Sequence, residues 1–319
     1  MVDRILCIGE LLIDFICSDI NVNLVQGVNF IKKAGGAPAN VAAAISKLGG
    51  RTSLAAKVGK DSFGIFLKET LDEVNVDTSM IVLDEDSKTT LAFVSLKADG
   101  ERDFIFNRGA DGLLNYKELN EEKIIDSKII HFGSATALLG GPSKDSYLKV
   151  MKVAQNRGIF TCFDPNYRID LWKNNTEEFI SLSKECLRGI DLVKMSDEEV
   201  KIISGKGDIK EGIKALHELG AKIVVITLGK EGTLVSNNND MEIVPSIKIK
   251  SIDSTGAGDA FVGAFLYKTV QLQNPKDLKD NFNQIKEITY FANRVGAIVC
   301  TKLGAISSLP ALKEVENYE

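Results

Sequence analysis

Short runs rich in apolar and β-branched residues alternate with amphipathic stretches along most of the chain, and this alternation constrains the fold more than any other feature. Parallel strands need a long crossover, which a helix supplies, so the pattern argues for βα units around a mostly parallel sheet. Residues 4–9 (RILCIG) read as a buried opening strand. Residues 38–48 read as a helix with proline in its first turn and Gly49 as its stop. Residues 128–132, 159–163, 191–195 and 222–228 read as further short, largely apolar strands. Residues 275–300 return to a helical pattern, and the charged tail through residue 319 is expected to fray.

Two segments break the rhythm. Residues 15–34 precede the first helix, and residues 89–108 carry TLAFVSLKADGERDFIF, which reads as a hairpin turning near Asp99-Gly100. Two readings fit them, a small β-sheet lid beside the main sheet or a simple surface hairpin; the hairpin alone favours the second, and other motifs decide between them. No internal repeat, low-complexity tract or proline-rich linker divides the chain, so 1–319 is read as a single domain with the lid inserted in it.

Composition narrows the function. With 39 basic and 44 acidic residues the net charge is −5, which offers no general field for nucleic acid or an anionic membrane, so an anionic ligand needs local donors. Five scattered cysteines without a C-x-x-C pair point to a reducing cytoplasm. Neither a secretion signal nor a run of about 18 apolar residues is evident. Only two histidines, His131 and His217, leave little material for histidine-based metal or triad chemistry, so carboxylates are the expected reactive groups.

The most informative string is Asp253-Ser254-Thr255-Gly256-Ala257-Gly258-Asp259-Ala260-Phe261, between a β-branched run and a helical pattern reaching Val270. Small residues at a helix start let backbone approach a ligand, and the free N–H groups of the first turn favour anionic oxygens. Asp259 lies in the same turn, where its carboxylate can accept a hydroxyl proton while Gly256, Ala257 and Gly258 hold a phosphoryl group. The plainer alternative is a tight turn with Asp259 as a helix-terminal charge. The string is neither a Walker loop nor a dinucleotide fingerprint.

Together with Gly35-Gly36-Ala37-Pro38-Ala39-Asn40, this string resembles the signatures of the ribokinase-like carbohydrate kinases, and within them those of fructokinases. The resemblance implies a three-layer α/β/α sandwich with a β lid. It assigns Gly35, Gly36, Asn40 and Asp14 to sugar hydroxyls, and Asp259 to the catalytic base. Asp164-Pro165-Asn166-Tyr167-Arg168 is similar to a D-x-N-x-R segment that puts Arg168 near the transferred phosphoryl group or the substrate, and Arg108 falls in a stretch where fructokinases touch the sugar. Ser196-Asp197-Glu198-Glu199 stands in place of an N-x-x-E motif that organises Mg2+ and its waters, with serine replacing asparagine. It also reads as a capping box. Thr227, Gly229, Lys230 and Gly232 match a loop bordering the nucleotide, the plainer alternative being a strand–turn–strand connection. Asn293 matches a position lining the adenine pocket, and an ordinary polar residue on a helix explains it equally. Asp253 and Thr255, with the turn at 302–308, match a monovalent-cation (K+) site.

The resemblance therefore implies an ATP- and Mg2+-dependent sugar kinase acting on the primary hydroxyl of a hexose, D-fructose first. An exposed β lid that pairs between two subunits would bury its apolar face, so a homodimer joined through the lid is expected. A 2-keto-3-deoxygluconate kinase or a sugar-nucleoside kinase is the alternative enzyme, and a non-catalytic sugar or nucleotide sensor the alternative of another class.

Overall fold

β1 (Arg4–Ile8) is apolar at every position after its first, because both of its faces are covered. Ile5 and Cys7 enter one core and Leu6 and Ile8 the other, which is the pattern of a central parallel strand. The computed structural model, which describes residues 3–96 and 102–318, extends this to the whole sheet. After β1 come β2 (Leu12–Cys17), β3 (Phe30–Gly35), β4 (Arg51–Gly59), β5 (Ile81–Asp84), β6 (Leu91–Leu96) and β7 (Arg102–Asn107). The second half holds β8 (Ile129–Gly133), β9 (Phe160–Asp164), β10 (Leu192–Ser196), β11 (Ile223–Thr227), β12 (Thr233–Asn237) and β13 (Met241–Val244).

Nine of these strands form one sheet in the order β13-β12-β11-β10-β9-β8-β1-β4-β5. All neighbours are parallel except β11–β12 and β12–β13. Helices Ala37–Lys47, Ala257–Val270 and Phe282–Val299 pack on one face. Helices Pro142–Asn156, Thr176–Leu187, Asp197–Ser204 and Ile209–Leu219 pack on the other. This is the expected α/β/α sandwich. From β1 the chain builds outward through β4 in one direction and through β8 in the other, so the strand order reverses at β1/β8. Crevices outside the carboxyl ends of strands at such a switch are where open α/β sheets bind ligands.

β3-β2-β6-β7 form a separate four-stranded sheet. It occupies the two segments expected to make the lid, with β2 starting at Leu12 and β3 ending at Gly35. β6 and β7 pair antiparallel as the hairpin reading required, while the turn expected near Asp99-Gly100 lies outside the described residues. Residues 227–233 do make a strand–turn–strand connection, from β11 into the antiparallel β12. The sequence pattern singles out neither β12 and the edge strand β13 at one end of the sheet nor β4 and the edge strand β5 at the other.

Helix Ala257–Val270 is apolar on every side, with buried residues from Ala260 through Leu266, as expected of a helix enclosed by protein. Its approach to helix Ala37–Lys47 is set by Gly263: a Cβ there would lie 2.6 Å from the Ala44 Cβ and 3.0 Å from the Val41 carbonyl oxygen. That close crossing brings the two sequence signatures together.

Candidate active site

At the start of helix Ala257–Val270, Gly256 adopts a left-handed φ of 77°, where a side chain is strained, and no side chain caps the helix. A Cβ at Gly256 would also sit 2.7 Å from the Ala305 Cβ, so glycine lets the turn lie against residues 302–308. Among the described residues the Gly258 and Asp259 N–H groups have no acceptor, and they are available to an anion at the positive end of the helix.

Asp259 stands in that first turn, half-buried, and its Oδ2 accepts a hydrogen bond from Asn40 Nδ2 at 2.8 Å. Enclosure by protein pushes its carboxyl up to about 6; the Asn40 hydrogen bond and the Lys194 charge pull against that shift. Asn40 is itself buried, and its other amide atom, Oδ1, finds no partner among the described residues. A buried unpaired acceptor beside a general-base candidate is a place for a ligand hydroxyl.

Asp14 projects from β2 toward Gly35: a Cβ on that glycine would lie 2.0 Å from Asp14 Oδ2, so only glycine admits the carboxylate there. Burial pushes Asp14 up to about 6, the charge of Glu10 adding to the shift and that of Arg168 opposing it. Glu10, 2% exposed, is a participant that sequence reasoning missed. It accepts from the Ala37 N–H at 3.1 Å, meeting the helix start after Gly35-Gly36 from the β1–β2 connection, and from the Ser134 hydroxyl. Its signal was an acid within an apolar opening run.

Arg108, expected at the sugar, is engaged within the protein. Its Nη2 donates to the Thr136 carbonyl at 2.9 Å, and its Nε lies 3.5 Å from Asp111 Oδ2. Arg168 is exposed, donates to its neighbour's carbonyl, and stands close enough to Asp14 and Asp259 for its charge to favour both carboxylates.

Asp164, at the end of β9, pairs with Lys194 of β10 at 3.0 Å, with side chains 4% and 12% exposed. Asn166 holds a φ of 49°, a backbone conformation that non-glycine residues adopt mainly where the surroundings impose it, and its buried Nδ2 lacks a partner among the described residues. Glu199 is buried and both its oxygens accept backbone hydrogen bonds, from Tyr167 N at 2.6 Å and Ser196 N at 2.7 Å. Ser196 and Glu199 form a reciprocal capping box on helix Asp197–Ser204. Burial and the nearby Asp164 charge raise the Glu199 carboxyl, with Lys194 opposing.

An open cleft of about 760 Å³ runs from this turn along the sheet edge. Thr227, Gly229, Lys230, Gly232 and Asn293 line it, as does the Ala257–Gly258 backbone. Asn293 lines the wall without offering a free amide: Oδ1 accepts from Thr233 at 2.6 Å and Nδ2 donates to the Val244 and Pro245 carbonyls. Asp253 ties the turn together, accepting from Thr255 Oγ1 at 2.6 Å and from Gly304 N at 2.9 Å. His131 is fully buried, which pushes its imidazole down to about 4 and keeps it neutral.

Asp259 with Asn40, Asp14 with Gly35, the Gly256–Gly258 turn and the 760 Å³ cleft thus lie together outside the carboxyl ends of β1, β8, β9 and β10. The profile of the pfkB family carbohydrate kinases matches residues 2–312, and the chain belongs to that family. It is a phosphotransferase with an alcohol group as acceptor. Among known proteins it is similar to fructokinase-1 of Oryza sativa subsp. japonica, at 39% identity over 319 residues, covering 98% of this chain and 96% of that protein. The crystal structure of fructokinase with bound ATP from Xylella fastidiosa superposes with a TM-score of 0.89 at 32% identity, covering 99% of this chain and 98% of that one. A double mutant of the Vibrio cholerae O395 fructokinase, in fructose, ADP and potassium ion bound form, gives a TM-score of 0.86 at 31% identity, covering 99% and 97%.

Proposed function

We propose that this chain transfers the γ-phosphoryl group of ATP to the primary hydroxyl of D-fructose, giving fructose 6-phosphate. The observation that carries this reading is the Asn40–Asp259 hydrogen bond, which joins the sugar-binding signature to the base at 2.8 Å, with Asn40 Oδ1 beside it unpaired among the described residues. In this reading Asp14 and Asn40 hold sugar hydroxyls in the recess framed by Gly35 and Gly36. Asp259 takes the proton of the attacking hydroxyl. The Gly256-Ala257-Gly258 turn receives the phosphoryl oxygens, and Arg168 adds positive charge at the rim. The cleft lined by Thr227, Gly229, Lys230 and Gly232 takes the nucleotide. The Asp111 carboxylate beside Arg108 offsets the charge that a carboxylated sugar would want there, which favours a neutral hexose over ketodeoxygluconate.

Magnesium fits this site as an ion bound mainly through nucleotide phosphates and water. The Glu199 oxygens are already accepting backbone hydrogen bonds, so Glu199 would act on the ion's waters from its buried position, and a magnesium ion needs few direct protein ligands. When bound, it would neutralise charge on the β- and γ-phosphates. Asp253 and Thr255, braced against Gly304, are the residues that would adjoin a potassium ion. No helix among the described residues is long and apolar enough to cross a membrane, and the five free cysteines suit a reducing cytoplasm.

The test is ATP-dependent phosphorylation across fructose, glucose, ribose, ketodeoxygluconate and adenosine with Mg2+ and K+ present. Preferential turnover of fructose is expected. Preference for another acceptor would move the substrate assignment, and sugar binding without turnover of any acceptor would favour the sensor.

A further inference from the structure

We infer that Lys194 is a catalytic residue, whose ammonium binds the phosphoryl group at the Gly256–Gly258 turn as it passes from ATP to the sugar. The inference rests on the kinase reading and names a residue that neither the sugar-binding nor the anion-hole signature contains. Lys194 interrupts β10, whose neighbours Leu192, Val193 and Met195 are buried and apolar. A lysine at such a position needs a reason, because burial alone works against its charge.

Geometry supplies one. Lys194 Nζ lies so close to the turn that a Cβ built on Gly258 would stand 3.2 Å from it. Gly258 therefore leaves the ammonium facing the same backbone whose N–H groups are open to an anion. An ammonium carries three N–H donors. Asp164 Oδ2 accepts one, and among the described residues no acceptor takes the other two. Asp164, Glu199 and Asp259 together outweigh the burial penalty and hold the lysine firmly protonated. Lys194 is thus a fixed cation beside the anion hole, and this preorganised arrangement stabilises charge spread over phosphoryl oxygens.

In the transfer, the sugar hydroxyl oxygen forms its bond to the γ-phosphorus while the bond from that phosphorus to the β,γ-bridging oxygen breaks. ADP departs with that electron pair and the hydroxyl proton passes to Asp259. Lys194 moves no proton; it stays an ammonium and donates to the migrating oxygens throughout.

The alternative is that Lys194 serves only as the counter-ion of Asp164, and removing it would then disturb the fold without regard to the nucleotide's third phosphate. Titration calorimetry with ADP, with β,γ-imido-ATP and with fructose separates the two. For Lys194→Met we expect ADP and fructose affinities to stay within about threefold, while β,γ-imido-ATP weakens about ten- to hundredfold, the worth of one charge-assisted hydrogen bond. We also expect kcat to fall about 10²- to 10³-fold. Should Lys194→Met fail to fold because Asp164 is left unpaired, Asp164→Asn/Lys194→Met removes both charges and is held to the same comparison. An unchanged ratio of imido-ATP to ADP affinity in the folded variant overturns the inference, whatever happens to kcat. Wild-type protein run alongside keeps the two readings apart. A wild type that phosphorylates no sugar defeats the kinase reading, whereas an active wild type with an unchanged ratio defeats the role of Lys194 alone.

Discussion

Asn40 Nδ2 donates to the Asp259 carboxylate, while its buried Oδ1 has no partner among the described residues. A base must be ionised to accept a proton, so with the Asp259 carboxyl at about 6, kcat/KM should fall as pH drops through that value. The Asn40 hydrogen bond lowers the carboxyl, so Asn40→Ala should move the acid limb of the pH–rate profile upward. Loss of one charged hydrogen bond should also reduce kcat/KM at pH 7.5 by about tenfold or more. A pH–rate profile with its limb unmoved would show that Asn40 does not tune this carboxyl. Residues legible from sequence were those whose type is unusual for their place: Asp14 in an apolar run, Asp259 in a glycine turn. Lys194 and Glu10 gave the same signal, a charge inside a strand pattern, but what each faces is set by chain distant in sequence.

Helix Ala257–Val270 owes its placement to its small residues, and Gly263 is the tightest point against helix Ala37–Lys47. Gly263→Val should drive the two helices apart, costing about 1–3 kcal/mol by overpacking and loosening the Asn40–Asp259 contact. Chemical denaturation together with kcat would read both effects. Unchanged stability and turnover would mean that the crossing does not position the site. This helix was legible in full, since a glycine turn opens it and its apolar run is long. The edge strand β13 was not: it carries Glu242 and an exposed Ile243 on a short edge, a pattern weaker than that of the buried parallel strands.

For the molecule as a whole, a net charge of −5 supplies no long-range field for an anionic nucleotide, so the proposed roles of the helix start, Lys194 and Arg168 are local ones. The lid offers a second whole-molecule property. Ile31, Ile16, Val94 and Phe104 stand in register across all four of its strands, on the face that also carries Asp14. Ile31 is 50% and Ile16 37% exposed, an apolar row that a second copy's lid would cover, so we propose a homodimer joined there. Light scattering at micromolar concentration should give twice the 34.8 kDa chain mass, and Ile16→Lys/Ile31→Lys should return the monomer. A monomeric wild type would remove this proposal. The lid strands were legible from alternation, but which face is left uncovered depends on the register between strands, which no single segment encodes.

The central claim is that one carboxylate, Asp259, is the base of a phosphoryl transfer to fructose. Its most direct test is the steady-state rate of fructose phosphorylation by wild type and Asp259→Asn at saturating ATP, with circular dichroism confirming the fold. Asp259→Asn should lower kcat about 10²- to 10⁴-fold while fructose still binds. A folded Asp259→Asn protein that turns over at the wild-type rate would contradict the account.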